Sequence, residues 1–162
     1  MSTTKKAFVK QIFPHQSLIR SLCTVYFSDK EDQKDAFQDV LLQLWKSYGT
    51  FRGESSLVTW IYRVALRTLV NKARRQSRML TCAYHPEYEI ISPSEQESAE
   101  VIWYALSRLS PSDKALVLLY IEGYRYQEIA KLLSLSATNV STRLNRIKQK
   151  LKLIITQEAS WN

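Results

Sequence analysis

The stretch YQEIAKLLSLSATNVSTRLNRIKQKLK, residues 126–152, predicts two helices joined by a short turn. A short helix over about 126–133 is followed by a turn at Ser134–Ser136 and then by a longer helix. Ala130 is small where two crossing helices approach each other closely. The apolar residues share one side of the pair: Ile129, Leu133, Leu135, Val140, Leu144, Ile147 and Leu151. This spacing is typical of a helix-turn-helix.

The outward side of the longer helix carries side chains that suit DNA. It presents hydroxyls and amides with cations at the edges: Thr138, Ser141, Thr142, Asn145 and Gln149, flanked by Arg143, Arg146, Lys148 and Lys152. Hydroxyls and amides can read base edges, while cations hold phosphates. The pattern predicts DNA binding, and its alternative is a basic hairpin within a helical bundle. Ser134 stands where such turns usually have glycine, and a positive φ there would cost on the order of 1 kcal/mol.

A second stretch, TWIYRVALRTLVNKARR at residues 59–75, predicts an amphipathic helix with an unusual polar side. One arc is an ordinary core stripe: Ile61, Tyr62, Ala65, Leu66, Leu69 and Ala73. The opposite arc has no acid, begins with an aromatic residue and is rich in arginine: Trp60, Arg63, Val64, Arg67, Thr68, Asn71, Arg74 and Arg75. An exposed aromatic ring beside arginines is what single-stranded nucleic acid binds, by stacking and through its phosphates. The alternative is a basic face exposed to water.

The residues before this stretch also follow a helical pattern. Pro14 suits the first turn of a helix that runs to about Phe27. Its inward residues are Leu18, Ile19, Leu22, Cys23 and Val25 or Tyr26. Asp29 can cap the next helix, which ends at Gly49. The expected core face of that helix is Ala36, Phe37, Val40, Leu41, Leu44 and Trp45.

Residues 80–98 divide the helices into two groups. This segment has two of the four prolines and no Lys or Arg, which predicts a linker, although EYEII within it could pack on a neighbour. Beyond it, helical pattern runs from Ser98 to Leu109, and Ser110-Pro111 starts a helix that ends at Gly123. With three glycines and little strand-like alternation, we expect an all-α chain. It would form two small helical domains joined by a flexible linker, the C-terminal one a helix-turn-helix.

The charge balance favours a polyanionic partner. The formal net charge of the 162 residues is +8. Residues 1–85 carry 14 basic and 6 acidic side chains, residues 86–100 carry 5 acidic and no basic ones, and residues 101–162 carry 9 basic and 4 acidic ones. Two basic blocks are therefore joined by an acidic segment, and the overall basicity points to a polyanionic partner.

Cysteine usage and hydropathy limit other classes of protein. Cys23 and Cys82 are too few for a disulfide scaffold. A zinc site from them with His15 and His85 is the less favoured interpretation, and buried thiols with surface histidines is the simpler one, so we expect no metal or other cofactor. The N-terminus lacks a hydrophobic signal core, and the longest apolar run, 115–121, is too short to cross a bilayer. We expect a soluble, cytoplasmic protein without membrane insertion.

The helix after Asp29 has a second feature, on the side away from its predicted core. Leu42 is apolar where solvent is expected, and two acids, two amides and a lysine accompany it: Asp35, Gln38, Asp39, Gln43 and Lys46. A lone exposed leucine means little, but this combination suggests a protein-docking patch. Asp35 and Asp39 could also share a metal as in a nuclease or recombinase. No third acid or histidine is obvious nearby, which argues against such an enzyme.

Three stretches, in order along the chain, resemble regions 2 and 4 of extracytoplasmic-function (ECF) sigma factors: DAFQDVLLQLW, then FRGESSLVTWIYRVALRTLVNKARR, then LSRLSPSDKALVLLYIEGYRYQEIAKLLSLSATNVSTRLNRIKQKLK. The resemblance implies a region 2-like domain at 1–80, a linker at 81–98 and a region 4-like helix-turn-helix domain at 99–157. It implies a bacterial alternative sigma factor with no catalysis of its own. Such a protein binds the clamp helices and flap of core RNA polymerase, directs it to promoter DNA and helps melt the −10 region. An anti-sigma factor is a further implied partner.

The resemblance also assigns residues by position. Docking on core polymerase falls to Asp35, Gln38, Asp39 and Leu42. Binding of the −10 element, duplex and then melted non-template strand, falls to Phe51, Arg52, Ser55, Ser56, Trp60, Arg63, Arg67, Asn71, Arg74 and Arg75. Reading of the −35 element falls to Thr138, Asn139, Ser141, Thr142, Arg143, Asn145 and Arg146. Arg67 and Asn71 depart from the family, which commonly has Asn and Asp there, so the preferred −10 sequence cannot be borrowed from relatives.

The alternative to a sigma factor is a stand-alone helix-turn-helix regulator that binds duplex DNA directly. It accounts for residues 124–152 but gives no role to the arginine-rich side of 59–75 or to the patch at 35–42. Specific duplex binding without polymerase would favour this alternative.

Overall fold

The computed structural model describes the backbone of residues 3–80 and 96–159, and the side chains of residues 4–78 and 101–156. Within these ranges the chain is helical and contains no strand. The helices are α1 (Thr3–Ile12), α2 (Gln16–Tyr26), α3 (Lys30–Ser47), α4 (Leu57–Leu80), α5 (Gln96–Ser107), α6 (Pro111–Ile121), α7 (Tyr126–Leu133) and α8 (Ala137–Ala159). Short 3₁₀ turns at Phe13–His15 and Tyr48–Thr50 precede α2 and follow α3.

Contacts along the chain divide it into two compact units, Met1–Ala73 and Arg74–Asn162. The predicted all-α fold with two small helical domains is confirmed. Most of the predicted linker, together with the EYEII segment and the Cys82–His85 pair, lies outside the described residues.

The core of the first unit is built from the inward faces of α2, α3 and α4. The predicted stripe of α4 is fully confirmed, because each of its members is buried. The buried residues of these inward faces are Ile19, Leu22, Cys23 and Tyr26, then Ala36, Val40 and Leu44, then Ile61, Tyr62, Ala65, Leu66, Leu69 and Ala73. Burial raises the pKa of the Cys23 thiol to about 11, so this cysteine stays neutral at physiological pH.

Three residues of α3 depart from the predicted core face. Phe37 and Leu41 are only half-buried, and the Arg20 guanidinium lies 4.2 Å from the centre of the Phe37 ring. Trp45 was expected inside but is 42% exposed. Its ring instead meets Phe8 edge-on at 5.1 Å, outside the layer between α2 and α3.

Helix α1 was not predicted. Its first turn is rich in threonine and lysine. The helical spacing of its two apolar residues, Phe8 and Ile12, is therefore easy to overlook in the sequence. Both are buried, and Phe8 packs edge-on against Tyr48 as well, with ring centres 5.2 Å apart. The Tyr48 hydroxyl donates to Oε1 of Gln11 at 2.9 Å. These contacts fix α1 to the carboxyl end of α3.

Side-chain caps set where several helices begin. Asp29 accepts from the Glu31 amide at 3.2 Å, as predicted for the start of α3. Ser56 caps α4, because its Oγ accepts from the Thr59 amide at 3.1 Å. Ser110 caps α6 in the same way through the Asp113 amide, with Pro111 at the first helical position.

The second unit contains the predicted helix-turn-helix, formed by α7 and α8 and backed by α6. Ile129, Ala130, Val140, Leu144 and Ile147 are buried, while the other apolar residues of the predicted line are half-buried: Leu133, Leu135 and Leu151. Helix α5 begins two residues earlier than expected and contacts α8.

The turn adopts the conformation that the sequence puts in question. Ser134 has φ 56° and ψ 47°, in the left-handed region. Immediately after it, the Leu135 amide donates to the Ala130 carbonyl at 2.8 Å, which closes the end of α7. The hydrogen bond and the burial of α7 and α8 against each other hold a serine in a conformation that favours glycine.

Replacing Ser134 with glycine should therefore stabilise the second unit. The left-handed conformation costs a serine about 1–2 kcal/mol, and the greater freedom of glycine in the unfolded chain offsets about 0.5–1 kcal/mol of the gain. We expect Ser134→Gly to raise the free energy of unfolding by about 0.5 kcal/mol, measured by urea denaturation. Lys131→Gly is the matched control: it is exposed on α7 with helical geometry and should lose about 1 kcal/mol. Equal losses in the two variants would contradict the strain at Ser134.

Candidate nucleic-acid interface

The predicted docking patch, Asp35, Gln38, Asp39 and Leu42, lies on the outward side of α3. Gln38 is exposed and Leu42 is 48% exposed, as expected. Both acids contact a residue that the sequence interpretation missed. The Lys72 ammonium on α4 donates to Asp39 Oδ2 at 2.7 Å and approaches Asp35 Oδ2 at 3.5 Å. Lys72 flanks the buried stripe of α4, and that position is the one signal that could have placed it against α3.

Lys72 offsets part of the negative charge of this patch. Burial works against its charge, but the hydrogen bond to Asp39 and the charges of Asp39 and Asp35 outweigh burial and raise the pKa of Lys72. Its side chain is only 22% exposed, whereas that of Asp39 is 48% exposed and that of Asp35 is 74% exposed. At neutral pH the patch therefore presents an exposed amide and leucine beside two carboxylates that share one lysine.

The charged side of α4 is exposed as predicted. Arg63, Arg67 and Asn71 point to solvent on the first unit; we call these three residues the arginine face. Arg74 and Arg75, further along the same helix, are exposed too. Neither Arg63 nor Arg67 forms a salt bridge with any acid among the described side chains. Their charges remain available to an external anion.

The predicted exposure of Trp60 is wrong. It was expected as an exposed ring at the start of α4 but is only 7% exposed. The loop before α4 folds back over the indole, and the ring of Phe51 lies 5.1 Å from that of Trp60 at an interplanar angle of 41°. Trp60 therefore supports the loop instead of offering a free stacking surface.

An open depression of about 440 Å³ lies between this loop and α4. Seven residues line it: Thr50, Phe51, Arg52, Glu54, Ser55, Trp60 and Arg63. We call it the loop depression. Five of these residues were among the predicted −10 contacts, and the structure brings them together. Ser56 differs, because its hydroxyl caps α4 and also donates to Thr59 Oγ1 at 2.9 Å. Thr50 and Glu54 were not predicted, and nothing in the helical pattern distinguishes them.

The outward side of α8 presents most of the predicted −35 residues. Ser141 is half-buried and the others are exposed: Thr138, Asn139, Thr142, Asn145 and Arg146. Arg143 departs from the expectation of a flanking cation. Its Nη2 donates to Asp113 Oδ1 at 2.5 Å and its Nε to the same oxygen at 3.2 Å, and its side chain is 27% exposed. Arg143 lies at the edge of α8 as predicted, but an acid of α6 binds it.

Lys148 is also restrained. Its ammonium lies 4.3 Å from the centre of the Tyr120 ring and donates to the Tyr120 hydroxyl at 3.1 Å. That hydrogen bond raises the pKa of Lys148. Of the cations predicted at the edges of α8, Arg146 and Lys152 are the exposed ones for which the described residues show no such restraint.

These surfaces define a class of protein: a two-domain helical protein that binds nucleic acid, with a helix-turn-helix in its second unit. No group of three or more His, Cys, Asp or Glu side chains that could hold a metal occurs among the described residues. None of the described helices is long and apolar enough to cross a membrane.

Comparison with known proteins identifies the family. Residues 13–79 match the Sigma-70 region 2 model, and residues 99–151 match the Sigma-70, region 4 model. The chain is 30% identical to the ECF RNA polymerase sigma factor SigX of Bacillus subtilis, across 82% of this chain and 74% of SigX. It is 26% identical to the RNA polymerase sigma-H factor of Pseudomonas aeruginosa, across 91% of this chain and 85% of that protein.

Solved structures agree on the fold. The sigma factor RpoE of Bartonella quintana, solved in complex with the anti-sigma factor NepR, superposes with a TM-score of 0.73 at 18% identity, over 93% of this chain and 98% of RpoE. CnrH in complex with the cytosolic domain of CnrY superposes with a TM-score of 0.66 at 20% identity, over 94% and 90% of the two chains.

The chain belongs to the ECF family of RNA polymerase sigma factors, with regions 2 and 4. It is an alternative sigma factor that directs RNA polymerase to promoters. Proteins of this family are transcription factors rather than enzymes.

The Lys72 contact predicts a specific pH dependence of stability. The folded pKa of Lys72 lies above the unfolded value near 10.5, so the ion pair contributes its full stabilisation below about pH 10.5. That contribution is lost as the pH rises through the folded pKa. We expect Lys72→Met to lose about 0.5–1 kcal/mol at pH 7, and this difference from the unsubstituted protein should shrink above pH 10.5, as measured by urea denaturation.

Lys34→Met is the matched control for this experiment. Lys34 pairs with Glu31 on the same helix, but the two side chains are 66% and 80% exposed, so the loss should be near zero. If Lys72→Met were as stable as Lys34→Met at pH 7, the proposed bridge between α3 and α4 would be wrong.

Proposed function

We propose that three separate surfaces divide the work of this sigma factor. The docking patch on α3 binds core RNA polymerase, at its clamp helices. The arginine face and the loop depression hold the −10 element, first as duplex and then as melted non-template strand. The outward side of α8 reads the −35 element while the second unit contacts the polymerase flap. The observation that carries this proposal is the loop depression, which gathers five of the predicted −10 residues at the end of the arginine face.

The docking patch suits a protein partner better than DNA. Leu42 and Gln38 are exposed side by side with two carboxylates, and DNA would be repelled by those acids. The apolar leucine offers surface to bury, while the amide and the remaining carboxylate acceptors offer hydrogen bonds around it. Because Lys72 already engages Asp39, we assign the larger share of the docking energy to Gln38 and Leu42.

The arginine face and the loop depression suit a single strand. A melted strand offers phosphates in a flexible chain and bases whose faces and edges are unpaired. Arg63 and Arg67 supply cations without internal ion pairs among the described acids, and Phe51 and Trp60 form an aromatic wall. An unstacked base could enter the depression, where Glu54 and Ser55 offer polar groups to its edge.

Helix α8 suits duplex DNA. Thr138, Thr142 and Asn145 expose hydroxyls and an amide in the middle of its outward side, and Arg146 lies at the edge. A helix of this kind fits the major groove, where such groups can distinguish base pairs. The proposed domains are 1–80 for polymerase and the −10 element and 99–157 for the −35 element, joined by residues 81–98.

Other partners and properties follow by analogy with relatives. One structure with the same fold is a sigma factor bound to an anti-sigma factor, and another, CnrH, is also bound to a protein partner. We propose that an anti-sigma factor also holds this chain. We further propose that the chain acts in the cytoplasm and catalyses no reaction itself.

Transcription with bacterial core polymerase tests the function. On sheared DNA of the source genome, the protein should produce discrete new transcripts. The Gln38→Ala/Leu42→Ala double variant should weaken binding to core polymerase about tenfold or more, because each side chain would contribute about 1 kcal/mol or more at an interface centre. Fluorescence anisotropy measures that affinity.

Lys34→Ala, on the same helix but outside the patch, is the control and should bind core polymerase as tightly as the unsubstituted protein. Unchanged affinity in the double variant would refute the docking surface. No transcripts, together with specific duplex binding by the protein alone, would instead support a stand-alone regulator.

The arginine face is tested by the salt dependence of single-strand binding. With holoenzyme and a −10 single strand, Arg63→Ala/Arg67→Ala should weaken binding and reduce the slope of log K against log salt by up to about 1.4, since each neutralised phosphate contributes about 0.7. Lys6→Ala/Lys10→Ala removes the same net charge from exposed positions on α1 and should leave the slope unchanged. Equal slopes in both double variants would place the strand elsewhere.

A further inference from the structure

The contact between Asp113 and Arg143 is a partly buried ion pair with two hydrogen bonds. Two N–H groups of one guanidinium, on Nη2 and Nε, converge on a single carboxylate oxygen at 2.5 and 3.2 Å. The two side chains are 27% and 28% exposed, so the pair is partly shielded from water and from salt. Because the guanidinium is planar and rigid, fixing one of its edges also fixes the direction of the others.

Asp113 itself is held firmly. It lies in the first turn of α6, where the helix dipole favours a carboxylate, and its amide donates to the capping hydroxyl of Ser110 at 3.2 Å. Arg143 lies on α8, four residues after Asn139 and three before Arg146, and both of these neighbours are exposed. The guanidinium thus sits at the border between the buried and the outward sides of α8, tied on its inner edge to α6.

This arrangement changes what Arg143 can do. An arginine has five N–H donors, of which two bind Asp113, and no acceptor among the described residues binds the other three. The carboxylate also offsets the positive charge. Arg143 is therefore a weaker general ligand for phosphate than a free arginine, but a better one for an acceptor pair in a fixed position. In the major groove that pair is O6 and N7 of guanine.

We propose that Asp113 is a positioning residue for promoter reading: it orients Arg143 so that the guanidinium selects a guanine in one base pair of the −35 element. This inference rests on the proposed role of α8 as the −35-reading helix. Asp113 touches no DNA itself and acts only through Arg143.

The test uses the full chain with core polymerase and a promoter obtained by the transcription experiment. Every base pair of the −35 element is substituted in turn, and binding of the holoenzyme to each duplex is measured. Arg143→Ala should lose roughly 5- to 150-fold of discrimination for guanine at one base pair. Asp113→Asn should lose discrimination at that same base pair and at no other. Its free guanidinium should also steepen the salt slope of non-specific duplex binding by about 0.9.

Asp113→Glu is a second variant, which keeps the test valid if Asp113→Asn does not fold. It keeps the charge, so the ion pair and the fold survive, but the added methylene displaces the guanidinium and discrimination should fall at the same base pair. Thermal unfolding confirms that each variant is folded. A folded Asp113→Glu or Asp113→Asn protein with the unchanged base preference overturns the proposal. So does a uniform loss of affinity for all −35 sequences, which would mean a phosphate contact or a purely structural pair.

Failure of the wider proposal gives a different result. If Thr142→Ala and Arg146→Ala leave −35 binding and base preference unchanged, α8 is not the reading helix. If those variants alter −35 binding while the Asp113 variants do not, the positioning role alone is wrong.

Discussion

The structure depends on the two-sided character of α4. Ile61, Ala65 and Leu69 are completely buried, and a helix that buries a stripe at this spacing must turn its other side to solvent. Burial of these side chains contributes about 1.5–3 kcal/mol for each large one, far more than repulsion among the arginines costs. The core of the first unit therefore holds an acid-free cationic face in place. Without that burial, like charges at this spacing would disfavour the helix.

Internal ion pairs then adjust the charge that each surface presents. Lys72 reaches from α4 to Asp39 and Asp35, so a docking patch with two acids keeps only part of its negative charge. On α8, the carboxylate of Asp113 offsets part of the positive charge of Arg143. Both contacts join residues more than 25 positions apart in the sequence, 33 positions for Lys72 and Asp39 and 30 for Arg143 and Asp113. Each surface is thus defined by its own residues together with one residue from a neighbouring helix.

Periodicity and caps account for what could be predicted. The buried stripe of α4, the caps at Asp29 and Ser110, and the left-handed Ser134 follow from spacing and local chemistry. The failed predictions depend on contacts that helical periodicity does not describe. Trp60 looked exposed because its position on α4 opposes the core, but the preceding loop brings Phe51 over it. Trp45 looked buried by the same reasoning, yet it lies in line with the half-buried Phe37 and Leu41, at the edge of the core face. Helical position fixes the direction of a side chain but not what the loops place over it.

The two proposed DNA surfaces differ in how tightly their cations are held, and the difference matches their targets. A melted strand is flexible and has no fixed register. Arginines that stay mobile, such as Arg63 and Arg67, can follow its phosphates and keep more of their side-chain entropy when they bind it. A duplex presents base edges at fixed positions, where a mobile arginine would lose side-chain entropy on binding. Arg143 has already lost that freedom to Asp113 in the free protein. On the proposed assignment, the restrained Arg143 would meet a base edge at a fixed position, whereas the unrestrained Arg146 on α8, like Arg63 and Arg67 on α4, would meet phosphates.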